Sequence, residues 1–180
     1  MTAQTGDHSW DEASLVPVAL GNFYEDFVPG TVYRHLRGRT VTEVDNIWFT
    51  LLTNNTNPLH FDRPYAQAAA MGDYLVVSTF TLAVTTGLTV PDISENAVAN
   101  LGWDNVKLSL PVRIGDTLYA RTLITGTRES KSRPYAGIVH TSTQGLNQDA
   151  EVVISFDRTI LMYRREHGPR SVSQVDAIRT

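Results

Sequence analysis

The 180-residue sequence contains no cysteine. Disulfide bonds, thiolate metal sites and cysteine nucleophiles are therefore excluded. Basic charge is also scarce, because 15 Lys and Arg residues stand against 19 Asp and Glu residues, a formal net charge of −4. A nucleic-acid-binding protein normally carries a basic excess, so nucleic acid is not an expected partner, and nothing favours binding to an anionic membrane surface.

Long apolar runs are missing as well. No stretch approaches the roughly 20 continuous apolar residues that a membrane-spanning helix needs. Residues 1–14 are polar and acidic, which is not the pattern of a signal peptide. We therefore expect a cytoplasmic protein that has no membrane partner.

The remaining composition is that of a globular protein. A hydrophobic content of 42% is ordinary, and 180 residues suit one domain that buries a sizeable core. Both ends lack apolar periodicity. We predict a flexible N-terminal tail at residues 1–20, one folded domain at residues 21–165 and a C-terminal tail at residues 166–180.

Three helical segments are predicted in the first half of the chain. Residues 42–45 (Thr-Glu-Val-Asp) have the pattern of a capping box, and apolar residues follow at helical spacing as far as Leu52, giving one apolar face. The aspartate and proline at 62–64 predict the start of a short helix that ends near Gly72. Residues 75–89 are apolar almost all round, which predicts a helix buried on all sides.

The pattern changes to period two in the second half of the chain. Alternation predicts strands at about 106–113, 118–124, 136–144 and 150–163, after an early strand near 31–39. Turn-forming residues are found at 115–116, 126–128 and 145–149. Short connections make such strands antiparallel neighbours. The predicted fold class is α+β, with an antiparallel β-sheet wrapped round a central buried helix.

Two motifs resemble a known family. Residues 57–60 (Asn-Pro-Leu-His), followed by the small Ala66, resemble the signature of the MaoC-like R-specific enoyl-CoA hydratases. Residues 111–118 (Pro-Val-Arg-Ile-Gly-Asp-Thr-Leu) resemble a strand turn of the same family. Further segments resemble the mesaconyl-CoA hydratase and itaconyl-CoA hydratase branch, namely 21–27, 90–94, 96–102 and 145–148. The resemblance covers roughly residues 21–165 and implies a single hotdog domain.

The resemblance also implies a function. It indicates a hydratase or dehydratase that adds water to a short branched enoyl-CoA of the mesaconyl-CoA or itaconyl-CoA type, giving methylmalyl-CoA or citramalyl-CoA. Coenzyme A would enter as part of the substrate, with no separate cofactor. Hotdog domains pair their sheets edge to edge, which implies a homo-oligomer, either a dimer or a trimer of dimers. A hotdog thioesterase and a non-catalytic acyl-CoA-binding protein are the alternatives.

The family's catalytic pair aligns with His60 and Asn55. His60 is the implied base. The family has an aspartate where this sequence has Asn55, and an amide cannot accept a proton at neutral pH, so Asn55 would position water or substrate. Asp62, Glu43 or Asp45 could supply the carboxylate instead.

The family's oxyanion donor, an amide at the start of the central helix, aligns with Ser78. The Ser78 amide would hold the thioester oxygen, because helix N-termini have free amides and favour negative charge. Ser78 and Thr79 could together suit a carboxylate-bearing acyl group. A helix N-cap explains Ser78 equally well.

Further binding residues are predicted less specifically. Asn100 and Gly102 lie where a hotdog strand would run beside the thioester, and a glycine there would allow close approach. Lys107 and Arg133 are candidates for the CoA phosphates, although a solvated hairpin tip also explains Arg133. A substrate carboxylate could meet an arginine, with three candidates, Arg37, Arg39 and Arg63.

Metal ligands and marker residues of the acyl pocket are not expected. No histidines and carboxylates have metal-ligand spacing, so we predict no metal site. Trp48, Phe80 and Trp103 are assigned to the core.

Overall fold

The structure, a computed structural model, describes residues 21–168. The predicted N-terminal tail and the last twelve residues of the chain, 169–180, lie outside this range. Arg165, at the end of the predicted domain, contacts residues near its start. The Arg165 guanidinium donates to the Asp26 carboxylate (2.6 Å), and the Arg165 amide donates to the Glu25 carboxylate (3.1 Å). The domain boundaries stay a prediction.

Helices and strands follow in the predicted α+β order. The helices are α1 (Glu43–Thr53), α2 (Arg63–Ala68) and α3 (Ser78–Leu88). The strands are β1 (Val32–Arg34), β2 (Arg39–Thr40), β3 (Ala97–Leu108), β4 (Thr117–Glu129), β5 (Ala136–Leu146) and β6 (Val152–Tyr163). They form one antiparallel sheet in the order β1-β4-β5-β6-β3, with β2 also paired to β4.

Helix α3 packs on the inner face of this sheet. Thr81 and Thr85 form its buried face. Gly145 of β5 permits the close approach, because an added Cβ would lie 2.7 Å from Thr85 Oγ1 and 2.6 Å from Ile154 Cγ2. Ile154 and Phe156 of β6 are fully buried in the core cluster beside the helix. The predicted architecture, a sheet curved round a central helix, is confirmed.

The burial of the helices differs from the prediction in one respect. Helix α3 is buried along one side only, and its opposite side is exposed at Ser78, Thr79, Ala83 and Gly87. Residues 75–89 predicted a helix buried on all sides, because this segment contains no charged residue to mark a solvent-exposed face. In a single chain the sheet covers one side of such a helix and leaves the other open.

Helix α1 turns its polar side inward. Its buried residues are Asn46 and Thr50, while large apolar residues on the other side are more than half exposed, among them Val44, Trp48, Leu51 and Leu52. The assignment of Trp48 to the core is therefore wrong, since its exposed fraction is 64%.

Trp103 is the second residue wrongly assigned to the core. It lies on the edge strand β3, is 44% exposed, and contacts Arg158 with the guanidinium carbon 5.9 Å from the ring centroid. Phe80, by contrast, is partly buried against the core as predicted.

Three strand predictions also differ from the structure. The early strand predicted near 31–39 is two short strands, β1 (Val32–Arg34) and β2 (Arg39–Thr40). Strand β3 begins at Ala97 and ends at Leu108, so the predicted strand at 106–113 is displaced towards the C-terminus. The turn predicted at 126–128 is wrong, because β4 continues to Glu129 through a bulge between Ile124 and Gly126. Within residues 21–168, no helix has the length and the apolar character needed to span a membrane.

Candidate active site

His60 ends a short turn whose geometry is fixed by its neighbours. Pro58–His60 forms one 3-10 turn, and Asn57 caps it by accepting the Leu59 amide (3.0 Å). The ring Nδ1 of His60 lies 2.8 Å from the carbonyl oxygen of Leu75. A carbonyl oxygen only accepts, so Nδ1 carries the hydrogen and the neutral ring presents Nε2 as a proton acceptor.

A cavity of about 270 Å³ borders His60. Ser78 and Thr81 of α3 form one wall, and residues 108–112 at the end of β3 form another. Leucine and valine side chains supply most of the remaining lining. A concave, mostly apolar site with a few polar groups is the usual setting for a small organic ligand.

The start of α3 brings Ser78 to this cavity, whereas Thr79, predicted to bind substrate with it, is not among the lining residues. Val77 is the N-cap residue, and its side chain cannot cap the helix. Its amide donates to Asn46 Oδ1 (2.9 Å), and the Phe80 amide donates to the Val77 carbonyl (2.9 Å). The amides of Ser78 and Thr79 are therefore first-turn amides without an intrahelical acceptor, aligned with the positive end of the helix dipole.

Asn55 lies in the same loop but borders a different cavity. Its amide donates to the Thr50 carbonyl (2.9 Å), and its Oδ1 accepts the Asn57 amide (3.1 Å). It lines a neighbouring cavity of about 390 Å³ with Phe61, whereas His60 lines the first. The structure thus gives Asn55 a role in shaping the loop, and its joint action with His60 on one water stays a prediction.

The three alternative carboxylates all have structural partners. Asp62 caps α2 by accepting the Tyr65 amide (3.1 Å). Glu43 accepts from Arg63 Nη2 (3.0 Å). Asp45 closes the capping box of α1. None of the three lines the His60 cavity.

The pKa of Asp45 reflects its capping role. Burial raises the pKa, but hydrogen bonds from Thr42 and the charge of Arg39 outweigh it and hold the pKa below the ordinary value of 3.8. The carboxylate accepts from the Thr42 amide (2.9 Å) and from Arg39 Nη2 (2.6 Å). Asp45 is therefore an ionised cap rather than a proton acceptor for the site.

The predicted residues of β3 do not line the His60 cavity. Asn100 Oδ1 accepts from Arg158 Nε (3.0 Å), and that guanidinium also donates to Thr89 at the end of α3 (3.1 Å). Beyond its two chain neighbours, no atom of the described part of the chain lies within 4 Å of a Cβ built on Gly102, so none of these residues requires glycine there. Lys107 borders a separate polar depression on the sheet, one residue before Leu108 of the cavity wall.

Arg133 lies far from the cavity within one chain. It belongs to the connection between β4 and β5, where Ala136 pairs with Tyr163. The cavity borders the other end of the sheet, where Leu108 pairs with Ile154. The step from Ile154 to Tyr163 along β6 is nine residue spacings, which is about 30 Å of strand. A contact between Arg133 and a ligand in this chain's own cavity is therefore not supported.

Two of the three candidate arginines for a substrate carboxylate are already paired. Arg39 contacts Asp45, and Arg63 contacts Glu43 while its guanidinium carbon lies 4.8 Å from the Tyr74 ring centroid.

Among residues 21–168 no three histidine or carboxylate side chains are close enough to hold a metal ion.

Asn46 is the site residue that the sequence did not indicate. It is fully buried (0% exposed) and joins the loop of His60 to the start of α3. Its Nδ2 donates to the carbonyl oxygens of His60 (2.8 Å) and Leu75 (3.1 Å). In the sequence Asn46 lies on the polar side of α1, which predicts an exposed residue, and the structure turns that side inward.

Comparison with known proteins identifies relatives of the whole domain. A family model described as "MaoC like domain" matches residues 26–145. The β-methylmalyl-CoA dehydratase of Chloroflexus aurantiacus is 35% identical over 146 residues, which are 81% of this chain and 41% of that protein. The mesaconyl-CoA hydratase of Cereibacter sphaeroides is 34% identical over 81% of this chain and 42% of its own length. The chain thus spans about two fifths of the curated relatives it matches.

Solved structures give the same result for the fold. A MaoC domain dehydratase from Chloroflexus aurantiacus superimposes with a TM-score of 0.76 at 35% identity, covering 81% of this chain and 41% of that one. A MaoC-like dehydratase from Rhodospirillum rubrum has a TM-score of 0.70 at 27% identity and is covered over 99% of its length. A double-hotdog protein from Mycobacterium tuberculosis, 21% identical with a TM-score of 0.73 over 44% of its chain, shares the fold.

Proposed function

The chain belongs to the family of MaoC-like domains, and from this premise we propose that it is a hydro-lyase acting on acyl-CoA thioesters. The reaction is addition of water to the double bond of a short branched enoyl-CoA, or the reverse dehydration. The observation that carries the proposal is that His60 and the uncapped start of α3 border one cavity.

The cavity offers the groups that hydration of a conjugated thioester requires. Nε2 of His60 accepts a proton from water, and the water oxygen forms a bond to the β-carbon. The electron pair of the double bond moves onto the thioester oxygen, where the Ser78 amide donates to the enolate. The imidazolium then returns its proton to the α-carbon, so one water has been added and His60 is regenerated.

Asn55 is assigned the position of the family's aspartate in this scheme. As an amide it donates and accepts hydrogen bonds without taking a proton, so it would orient the water while His60 performs the proton transfer. Its Oδ1 already accepts the Asn57 amide, which leaves Nδ2 as the group available to a water or substrate oxygen.

The substrate class is proposed from the relatives. Two of them are named for β-methylmalyl-CoA and mesaconyl-CoA. Both names describe a branched acyl chain with a second carboxylate, and we extend the proposal to the isomeric itaconyl-CoA and its hydrated product citramalyl-CoA. Coenzyme A enters as part of the substrate, and the proposal needs no other cofactor.

We further propose that the working unit is a homo-oligomer, a dimer or a trimer of dimers. Among residues 21–168, strand β3 pairs with β6 alone. It exposes apolar side chains, among them Leu101, Trp103, Val106 and Leu108. Long apolar edges are normally covered by another strand. A second copy on β3 would also add to the cavity wall at Leu108, and it is a route by which Lys107 or Arg133 of another subunit could reach the CoA phosphates.

A non-catalytic acyl-CoA binder is the second candidate function. It is favoured by one observation, namely that no carboxylate of residues 21–168 lines the His60 cavity. A thioesterase has no comparable support, and release of free CoA thiol would identify it. A cytoplasmic location stays part of the proposal.

The test follows the absorbance of the enoyl thioester in parallel with mesaconyl-CoA, itaconyl-CoA and crotonyl-CoA. We expect the absorbance to fall rapidly with a branched dicarboxylic substrate. In His60→Ala we expect kcat to fall by at least about 100-fold, because general base catalysis typically contributes 10²–10⁴-fold. His140→Ala is the matched control, since His140 is also half-buried but bonds Thr159 on the sheet. Near-normal turnover in His60→Ala would refute the role of His60, and binding without turnover would favour the binder.

A further inference from the structure

The side-chain amide of Asn46 uses its whole planar end on the backbone of the candidate site. Nδ2 donates to the carbonyls of His60 (2.8 Å) and Leu75 (3.1 Å). Oδ1 accepts the amide of Val77 (2.9 Å). These partners are 14, 29 and 31 residues away in sequence. One buried side chain of α1 thus joins the histidine loop to the start of α3.

The hydrogen bonds of Asn46 converge on the His60 ring. The Leu75 carbonyl accepts from Asn46 and also from Nδ1 of His60 (2.8 Å). His60 is therefore fixed at both ends, since Asn46 holds its backbone carbonyl and also the carbonyl that binds its ring. Fixing Nδ1–H in this way keeps Nε2 unprotonated in the neutral ring.

The same amide defines the first free amide of α3. Val77 is the N-cap, and its own N–H is taken by Asn46 Oδ1. Ser78 is the next residue and lines the cavity. The base and the enolate-binding amide are thus attached, through one rigid group, to the same helix.

We propose that Asn46 is a positioning residue that sets the tautomer and orientation of His60 relative to the Ser78 amide. This inference rests on the proposed hydratase function. Only an amide of this size offers two donors and an acceptor in one plane. Asn46 is 0% exposed, so no bulk water replaces a lost bond. Removal of its donors therefore leaves the His60 carbonyl without that bond and leaves the His60 ring to hold the Leu75 carbonyl without Asn46.

The test compares two chemically identical substitutions. Asn46→Asp keeps an acceptor for the Val77 amide. The ionised aspartate has no hydrogen to donate to the carbonyls of His60 and Leu75. Asn96→Asp is the matched control, because Asn96 is also buried (4% exposed) and donates to the Asn22 carbonyl at the opposite end of β3. Asn46→Ala serves as a second variant, and thermal melts establish that each protein is folded.

Two readouts separate positioning from simple structural support. The first is kcat and KM with the enoyl-CoA substrate, for which we expect kcat to fall about 100-fold in Asn46→Asp with KM little changed, since small misplacements of reacting groups cost this much. The second is the ¹⁵N NMR spectrum of the His60 ring, assigned with His60→Ala. We expect an Nδ1–H tautomer in the wild type and a mixture of tautomers in Asn46→Asp and Asn46→Ala.

The outcomes are distinct. Lowered kcat together with a changed tautomer in the Asn46 variants, and neither change in Asn96→Asp, supports the inference. A wild-type tautomer with normal kcat in folded Asn46→Asp overturns it, as does an equal fall of kcat in Asn96→Asp. If the wild type turns over no substrate, the proposed function fails, and the NMR comparison still decides: an unchanged tautomer overturns the role of Asn46 and a changed one supports it.

Discussion

Replacement of Ser78 by proline removes its amide N–H from the candidate site, together with its hydroxyl. Ser78 is the first residue of α3, a position where the amide has no intrahelical acceptor and proline is well tolerated. The preceding Val77 has φ −56° and ψ 127°, an extended conformation that suits a residue before proline. We therefore expect Ser78→Pro to fold with a change in the free energy of unfolding within about 1 kcal/mol.

The catalytic effect of the same change is expected to be much larger. Deletion of one hydrogen-bond donor to an oxyanion typically lowers kcat by about 10²–10³-fold, which corresponds to about 2.7–4 kcal/mol of transition-state stabilisation. Ser78→Ala is the matched control, since it loses the hydroxyl but keeps the amide. The difference in kcat between the two variants is then the share of the amide.

The assay combines kcat from the loss of enoyl absorbance with urea unfolding of both variants. We expect kcat of Ser78→Pro to be about 10²–10³-fold below that of Ser78→Ala at similar stability. A folded Ser78→Pro protein with the same kcat as Ser78→Ala would refute the assignment of the Ser78 amide as the enolate donor. An equal fall in both variants would transfer the role to the hydroxyl.

Two further predictions concern stability and assembly. Thr42→Ala removes the cap of α1 and is expected to lower the free energy of unfolding by about 1 kcal/mol at neutral pH, measured by urea unfolding. The pKa of Asp45 in the folded protein lies below its ordinary value of 3.8. The stabilisation from the Asp45 carboxylate is therefore complete above pH 3.8 and is lost as the pH falls through the folded-state pKa, so the effect of Thr42→Ala should shrink in acid. An undiminished cost in acid would show that Asp45 does not contribute through its charge. Val106→Lys places a charge on the exposed edge strand β3 and is expected to convert the oligomer to a monomer, as measured by light scattering. A monomeric wild type at micromolar concentration would contradict the proposed interface between two copies at β3.

Local signals in the sequence predicted the starts of α1 and α2 accurately, whereas the helix predicted from residue 75 begins at Ser78. The capping box of Thr42 and Asp45 forms as expected, with the Asp45 amide donating to Thr42 Oγ1 (3.2 Å). Asp62 caps the short helix α2, with a proline in its first turn. Such caps depend only on residues three or four apart, so one sequence suffices to find them.

The strand boundaries depended on pairing between distant segments. Gly126 and its neighbours have turn chemistry, yet Gly126 pairs with His140 and the strand continues. β3 contains Asn100, Gly102 and Asn105, all poor strand formers, and it is held by its pairing with β6. Turn propensity is a local property, and the ladder that overrides it is not visible in a single sequence.

The motif indicated residues of the candidate site but not Asn46, which holds their backbone. His60 and Ser78 were both predicted, and the structure brings them to one cavity. Asn55 was predicted with them and borders a neighbouring cavity instead. Asn46 was missed because its hydrogen-bond partners are backbone groups of other segments. Every residue has a backbone carbonyl, so the residue types in the sequence do not show which carbonyl a side chain will contact.

The apolar surfaces show a further limit of sequence patterns. Trp48 and Trp103 are apolar at the right spacing for a core, but both are exposed in one chain. Periodicity identifies which residues lie on one face of an element. It does not identify whether the same chain or a second copy covers that face.

The most direct test of the proposed hydratase activity is mass spectrometry of the product formed from mesaconyl-CoA in ¹⁸O-labelled water. The proposed reaction predicts a CoA ester heavier by one water that carries one labelled oxygen on the β-carbon, formed by the wild type and not by His60→Ala. Unchanged mesaconyl-CoA would contradict hydratase activity on this substrate. Label in a free acid, together with released CoA thiol, would show that the protein hydrolyses the thioester instead.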